Sequence, residues 1–144
     1  MWRWRHNISE CWNNVISGSV KGVKGPVTDI VADPEYFDVT MGPDTVFSHE
    51  VRAGYTALAY VISGEGTFDN KDGYQVNNRD LVLFGNGLSV VGRASGQGFR
   101  FLFLCGKPIH EPVAWRGPIV MNTPEELRQA FGEYEEGTFI KKKA

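Results

Sequence analysis

The chain has 144 residues, 42% of them hydrophobic and 22% charged, with 15 basic and 17 acidic side chains and a net charge of −2. That length suits a single domain with a real core, and the charge balance lacks the basic excess of a nucleic-acid binder. No apolar run reaches the roughly 20 residues of a membrane helix, no apolar h-region follows residues 1–6, and two distant cysteines, Cys11 and Cys105, argue against a zinc site or a disulfide framework.

Residues 1–14 read as a divergent leader. Trp2, Arg3, Trp4 and Arg5 alternate aromatic and basic side chains, a pattern open to a membrane-surface or nucleic-acid arm. The stretch is too short to bury much, so a loosely ordered leader or an edge strand is the plainer expectation. Residues 15–26 form a linker-like segment: a short apolar strand at Val15 and Ile16, then a loop punctuated by Gly22, Gly25 and Pro26.

Beyond it the pattern is strand and turn. Residues 35–41 are β-rich after Asp33-Pro34, and Gly42-Pro43-Asp44 turns the chain. Residues 55–62 make the strongest strand and end at Gly64-Glu65-Gly66. Residues 66–68 and 74–76 flank Asp72-Gly73, a hairpin signal. Residues 81–84, 88–91 and 99–105 supply further strands, with Gly85-Asn86-Gly87 between the first two. Short strands at this spacing predict an all-β sandwich or barrel. One helix is predicted over about 124–135, with Thr123 as N-cap, Pro124 in the first turn, Glu126 completing a capping box and Gly137 as the stop. Leu127, Ala130, Phe131 and Tyr134 share one of its faces.

Several stretches together resemble the pirin family. They are residues 20–27 (Val-Lys-Gly-Val-Lys-Gly-Pro-Val), 33–36 (Asp-Pro-Glu-Tyr), 60–66 (Tyr-Val-Ile-Ser-Gly-Glu-Gly), and above all 106–113 (Gly-Lys-Pro-Ile-His-Glu-Pro-Val) running into 117–123 (Gly-Pro-Ile-Val-Met-Asn-Thr). The resemblance implies an all-β cupin barrel (a double-stranded β-helix, or jelly roll) over residues 27–144 with one C-terminal helix. Pirin-like proteins are bicupins whose N-terminal barrel holds a metal, usually iron, on three histidines and a glutamate, while the C-terminal barrel holds none. Some members resemble quercetin dioxygenases. This sequence is similar to the connecting segment and the C-terminal barrel.

Metal-binding cupins point a His-x-His pair and a glutamate into the barrel. The resemblance puts Glu50, Arg52 and Thr56 at those positions, and the fourth ligand near Val90. Arginine does not ligate and valine cannot, so no cofactor is expected. The alternative is iron or another divalent metal in a site rebuilt around His49 and Glu50, for which the strand must slip by one residue. By parity Glu50, Arg52, Thr56, Leu58 and Tyr60 share the inward face, and with Val90 they are ligand-pocket candidates. Arg52 would anchor a small carboxylate or phosphate; the competing reading is a Glu50–Arg52 ion pair with Tyr60 as core. His6 and His110 are too scattered to make a site.

The two barrels of a bicupin share a large apolar contact, and an isolated C-terminal half would expose it. Trp115, Ile119, Met121, Leu127, Phe131 and Tyr134 are the interface candidates. They lead to an expected homodimer, or else to a hetero-partner carrying a metal cupin. The expected function is that of a cytoplasmic, metal-free single-cupin protein acting by protein association or small-ligand binding, with no membrane and no direct nucleic-acid contact. The alternatives are a metal-dependent dioxygenase of the quercetin dioxygenase type and an inactive remnant of a longer pirin.

Overall fold

The computed structural model describes residues 5–8, 11–69 and 73–141, so Trp2, Arg3 and Trp4 lie outside the described residues. The chain forms two compact units, Met1–Pro108 and Ile109–Ala144. The break falls inside the stretch expected to be one domain. No helix among the described residues is long and apolar enough to cross a membrane.

The first unit is all strand. Its elements are β1 (Arg5–Ile8), β2 (Cys11–Ser17), β3 (Ser19–Val20), β4 (Val23–Lys24), β5 (Glu35–Met41), β6 (Val46–Glu50), β7 (Thr56–Phe68), β8 (Tyr74–Val76), β9 (Leu81–Leu83) and β10 (Ser89–Gly106). The main sheet runs β1-β2-β5-β10-β7-β8, with β6 also on β10 and β9 also on β7. No ladder among the described residues closes this path into a barrel. The fold is a cupin jelly roll.

Strand periodicity builds its core. Successive side chains point to opposite faces, and the odd-numbered apolar residues all turn inward: Phe37, Val39 and Met41 on β5, Phe47 on β6, Ala57, Ala59 and Val61 on β7, Phe99, Phe101, Phe103 and Cys105 on β10. The rings interlock, with Phe47 edge-on to Phe101 at 5.4 Å and Phe37 stacked near Phe103 at 5.7 Å. Such pairs each add about 0.5–1.5 kcal/mol beyond their area burial.

Two glycines let one strand serve both layers. The early half of β10, Ser89 to Arg93, pairs with β6, and its late half, Phe99 to Cys105, pairs with β5. Between them the β7 partner jumps from Gly66, opposite Ala94, to Gly64, opposite Phe99. The sequence reads a break at 92–98, but β10 runs through it as a bend. Gly64 and Gly98 sit at φ +75° and +84°, and a Cβ on Gly64 would lie 2.2 Å from the Gly98 carbonyl oxygen.

Residues 11–14, expected in the leader, belong to β2. Cys11, Asn13 and Val15 pair with Met41, Val39 and Phe37 of β5, so the expected boundary at 14/15 falls inside a strand. Local sequence could not show this, because the partner that completes the ladder lies more than 20 residues away.

The second unit is a hairpin, β11 (Ala114–Arg116) with β12 (Ile119–Met121), followed by helix α1 (Pro124–Glu135) packed on it. The predicted capping box is present: the Glu126 N–H donates to Thr123 Oγ1 at 3.2 Å, and the Thr123 N–H donates to Glu126 Oε2 at 3.0 Å. Ile119 and Ala130 are buried here. Ile119 is therefore core, not free interface, because hairpin alternation turns it inward and Val120 outward. Trp115 and Tyr134 are exposed, whereas Met121, Leu127 and Phe131 are half-buried. The Arg116 guanidinium covers the Phe131 ring at 4.9 Å.

Gly64→Ala combines a left-handed backbone with a collision against backbone, whereas Gly54 (φ +81°) has nothing within 4 Å of its added Cβ. In urea unfolding, Gly54→Ala is expected to cost about 1 kcal/mol and Gly64→Ala more than about 3 kcal/mol or fail to fold.

Candidate functional site

The inward parity is opposite to the one expected. Glu50, Arg52, Thr56 and Tyr60 are exposed, and Leu58 is half-buried on the outer side. Phe47, Val51, Ala57, Ala59 and Val61 are buried instead. Parity in a half-buried strand follows its apolar set, and a one-residue slip exchanges every side chain. The expected register follows the family resemblance at residues 60–64; the odd apolar set overrules it.

Arg52 sits on the rim with no tie to Glu50. Its guanidinium donates to the Asp33 carboxylate and, at 3.1 Å, to the Tyr55 hydroxyl, which itself donates to Asp33 Oδ2 at 2.8 Å. Asp33 already offsets the charge of this guanidinium at an exposed rim, which weakens it as an anchor for a ligand anion. Val90 does point inward and is buried, directly across the ladder from His49.

His49 is the polar side chain that turns in. Its ring lies 4.9 Å from Phe37, 5.4 Å from Phe103 and 6.3 Å from Phe47. Its Nε2 shares a 2.7 Å hydrogen bond with Glu35 Oε2, and the Cys105 thiol donates to the same oxygen at 3.2 Å. Burial pushes the Glu35 carboxyl up, but the hydrogen bonds from His49 and Cys105 and the attraction to His49 and Arg52 outweigh it, leaving it below the usual carboxylate range. Burial drives both thiols the other way, Cys11 to about 11 and Cys105 to about 12.

This donor set does not fit the metal of the cupin family. Around His49 stand the Phe37, Phe47 and Phe103 rings and, across the ladder, Val90, none of them a ligand, and its one carboxylate neighbour, Glu35, is bonded to its Nε2. Glu50 lies on the opposite face of β6. Cys105 is held as a thiol on the oxygen that already bonds His49. Among the described residues, no group of three or more His, Cys, Asp or Glu has the geometry to hold a metal ion.

Around this cluster opens a cleft of about 1170 Å³. One wall is the continuous stretch 46–53; the other holds Cys11, Asn13, Ser19, Val20 and Lys21, with Glu35, Leu88 and Ser89 completing the lining. Asn13 is 1% exposed, and its Oδ1 has no hydrogen-bond partner among the described residues. A buried polar atom left unpaired costs about 1–3 kcal/mol. Glu35 and Asn13 were both missed in sequence. The available signal was parity: Glu35 shares the odd set of Phe37 and Val39, and Asn13 that of Cys11 and Val15.

The pirin C-terminal cupin domain matches residues 36–140. Pirin-1 of Arabidopsis thaliana is 37% identical over 125 residues, covering 84% of this chain and 43% of the relative. Human pirin is 33% identical, covering 83% of this chain and 42% of the relative. A Thermoplasma acidophilum protein provisionally named as a quercetin 2,3-dioxygenase is 35% identical, covering 93% and 54%. A crystal structure of quercetin 2,3-dioxygenase from Acinetobacter baumannii superposes with a TM-score of 0.84 at 25% identity, covering 92% of this chain and 45% of that one. The chain thus spans about half the length of the curated relatives it matches.

Because Glu35 has a depressed pKa when folded, its stabilisation is present above the unfolded carboxylate value and is lost as pH falls through the folded one. The stability gap between wild type and Glu35→Gln is expected to be level above the ordinary carboxylate value of 4.5 and to narrow as pH falls below it, read by urea unfolding from pH 7 downward. Asp38, held low by Arg100, is common to both proteins and cancels in the difference. Both thiols should resist an aromatic disulfide reagent at pH 8 in native buffer and react fully in guanidinium. Rapid native labelling of either would contradict the geometry.

Proposed function

The chain belongs to the pirin family through its C-terminal cupin domain, and we propose that it is a binding protein rather than a catalyst, taking its ligand in the cleft beside β6. The observation that carries this is the cleft itself, a space of about 1170 Å³ bordered by Asn13, Glu35 and His49, with the Glu35–His49 pair held against the aromatic core at its wall. His49 is packed among phenylalanine rings and bonded to Glu35 where a cupin metal site needs several free donors, which favours binding without a metal.

A second reading is favoured by likeness to proteins named as quercetin 2,3-dioxygenases: a metal-dependent dioxygenase with a rebuilt site. It would have to recruit His49 away from Glu35 and find further ligands outside the present inner face.

Self-association supplies the protein-contact part of the proposal. Two ladder rows cross the outer face of the sheet: Leu83–Leu58–Leu104–Tyr36 and Leu81–Tyr60–Leu102. Leu81 and Leu83 are 65% and 71% exposed. An apolar face of this kind suits an isologous contact with a second copy, and it gives Tyr60 an interface role in place of a pocket role. Sedimentation at micromolar concentration should show a dimer that Leu83→Glu dissociates; a monomeric wild type overturns this contact.

Elemental analysis of tag-free protein for iron, nickel, copper, manganese and zinc tests the metal-free reading. Less than about a tenth of an equivalent of any metal is expected, with no quercetin turnover after iron(II) is added. Near one equivalent, lost in His49→Ala, would overturn it in favour of the dioxygenase.

A further inference from the structure

We propose that the cleft is a strand-addition site: it takes an extended polypeptide segment that pairs with the free edge of β6. This rests on the binding reading above and names the class of ligand.

The argument starts from which way the β6 backbone points. In an antiparallel ladder each residue sends its N–H and C=O to the same side, and alternate residues face opposite sides. The Val51 N–H donates to the Leu88 carbonyl at 2.9 Å, and the Thr45 carbonyl accepts from the Ala94 N–H at 3.0 Å. The odd residues 45–51 therefore bond toward β10. The N–H and C=O groups of Val46, Ser48 and Glu50 point the other way. Among the described residues β6 pairs with β10 alone, and no backbone partner stands opposite these three.

The cleft lies along that free edge. Alternate side chains of a strand face opposite sides of its sheet, so a cavity over one face would touch residues of one parity. This cleft is lined by every residue from 46 to 53, as only a cavity running beside the strand can be. At about 1170 Å³ it is larger than the roughly 300–1,000 Å³ typical of small-molecule sites. Free donor–acceptor pairs recur along β6 at about 6.8 Å, the two-residue repeat of an extended chain.

The edge also lacks most of the usual protections. Strands left open in native sheets carry charges, proline or a bulge. Val46-Phe47-Ser48-His49-Glu50 has no proline, lysine or bulge, carries one carboxylate at its end, and pairs in unbroken register. The other edge strands are shorter, four residues in β1 and three each in β8 and β9, against five in β6. Across the cleft, β2 is already paired on both sides, by β1 and β5, so an added strand would bond β6 alone and meet β2 through side chains. Cys11 and Asn13 are the β2 residues that border the cleft.

The test uses the full chain and pools of N-acetylated heptapeptides in a positional-scanning library, followed by fluorescence polarisation. At least one pool should bind, and the selected peptide should slow amide exchange at Val46, Ser48 and Glu50 but not at Phe47 or His49. Ser48→Pro deletes a free-edge N–H without touching the ladder to β10, a substitution that edge strands tolerate. It should weaken the peptide at least about tenfold, with Ser48→Ala unchanged. If Ser48→Pro does not fold, N-methylation of alternate peptide residues gives the same reading, one parity losing affinity and the other keeping it. Binding indifferent to both changes overturns strand addition. So does failure of every pool at millimolar concentration. In that case quercetin perturbing the Asn13 and His49 signals would leave the binding reading standing, and quercetin perturbing neither would remove both.

Discussion

The close approach of Gly64 to the Gly98 carbonyl is the constraint on which the first unit turns. A side chain at Gly64 would sit 2.2 Å from that oxygen, so the bend exists only because neither residue carries one. Through this bend β10 gives its early half to β6 and its late half to β5. Those strands then face each other across the aromatic core, with His49 of β6 edge-on to Phe37 of β5 at 4.9 Å. The Glu35–His49 hydrogen bond spans the same gap. Without the bend β5 and β6 would have no common interior, and the cleft would have no second wall.

Strand parity is the next constraint, and it explains which part of the molecule was legible in its sequence. Residues 35–41, 55–62 and 99–105 announce themselves as strands by composition and glycine punctuation, and the helix by its capping box. Those local signals need no distant partner. The resemblance at residues 60–64 turns Glu50, Arg52, Thr56 and Tyr60 inward, but the apolar set of Phe47, Val51, Ala57, Ala59 and Val61 decides the parity. Burying five apolar side chains is worth several kcal/mol, far more than any interaction an exposed Glu50 or Arg52 can offer. His49, given little weight in the sequence reading, shares the parity of Phe47 and Val51 and goes inside with them.

Asn13 and Glu35 were hidden for a different reason. Both sit at the margins of strands whose partners are remote: β2 is recognisable as a sheet strand only through its pairing with β5, and Glu35 gains meaning only when β10 brings Cys105 and β6 brings His49 against it. No local pattern encodes a triad drawn from three strands.

These polar residues also bear on why the interior is not simply apolar. Replacing a buried polar pair by well-packed hydrophobes is often neutral or stabilising, so Glu35 and His49 are not needed for stability as such. Their hydrogen bonds are satisfied, and the pair costs little. Asn13 is different, because its Oδ1 is buried and has no partner among the described residues, with leucine or valine available as simple replacements at that inward position. The backbone groups of Val46, Ser48 and Glu50 stand on the other wall of the cleft, on residues exposed to water. An extended chain laid along β6 would exchange those water contacts for a regular ladder, which a compact ligand could not reproduce.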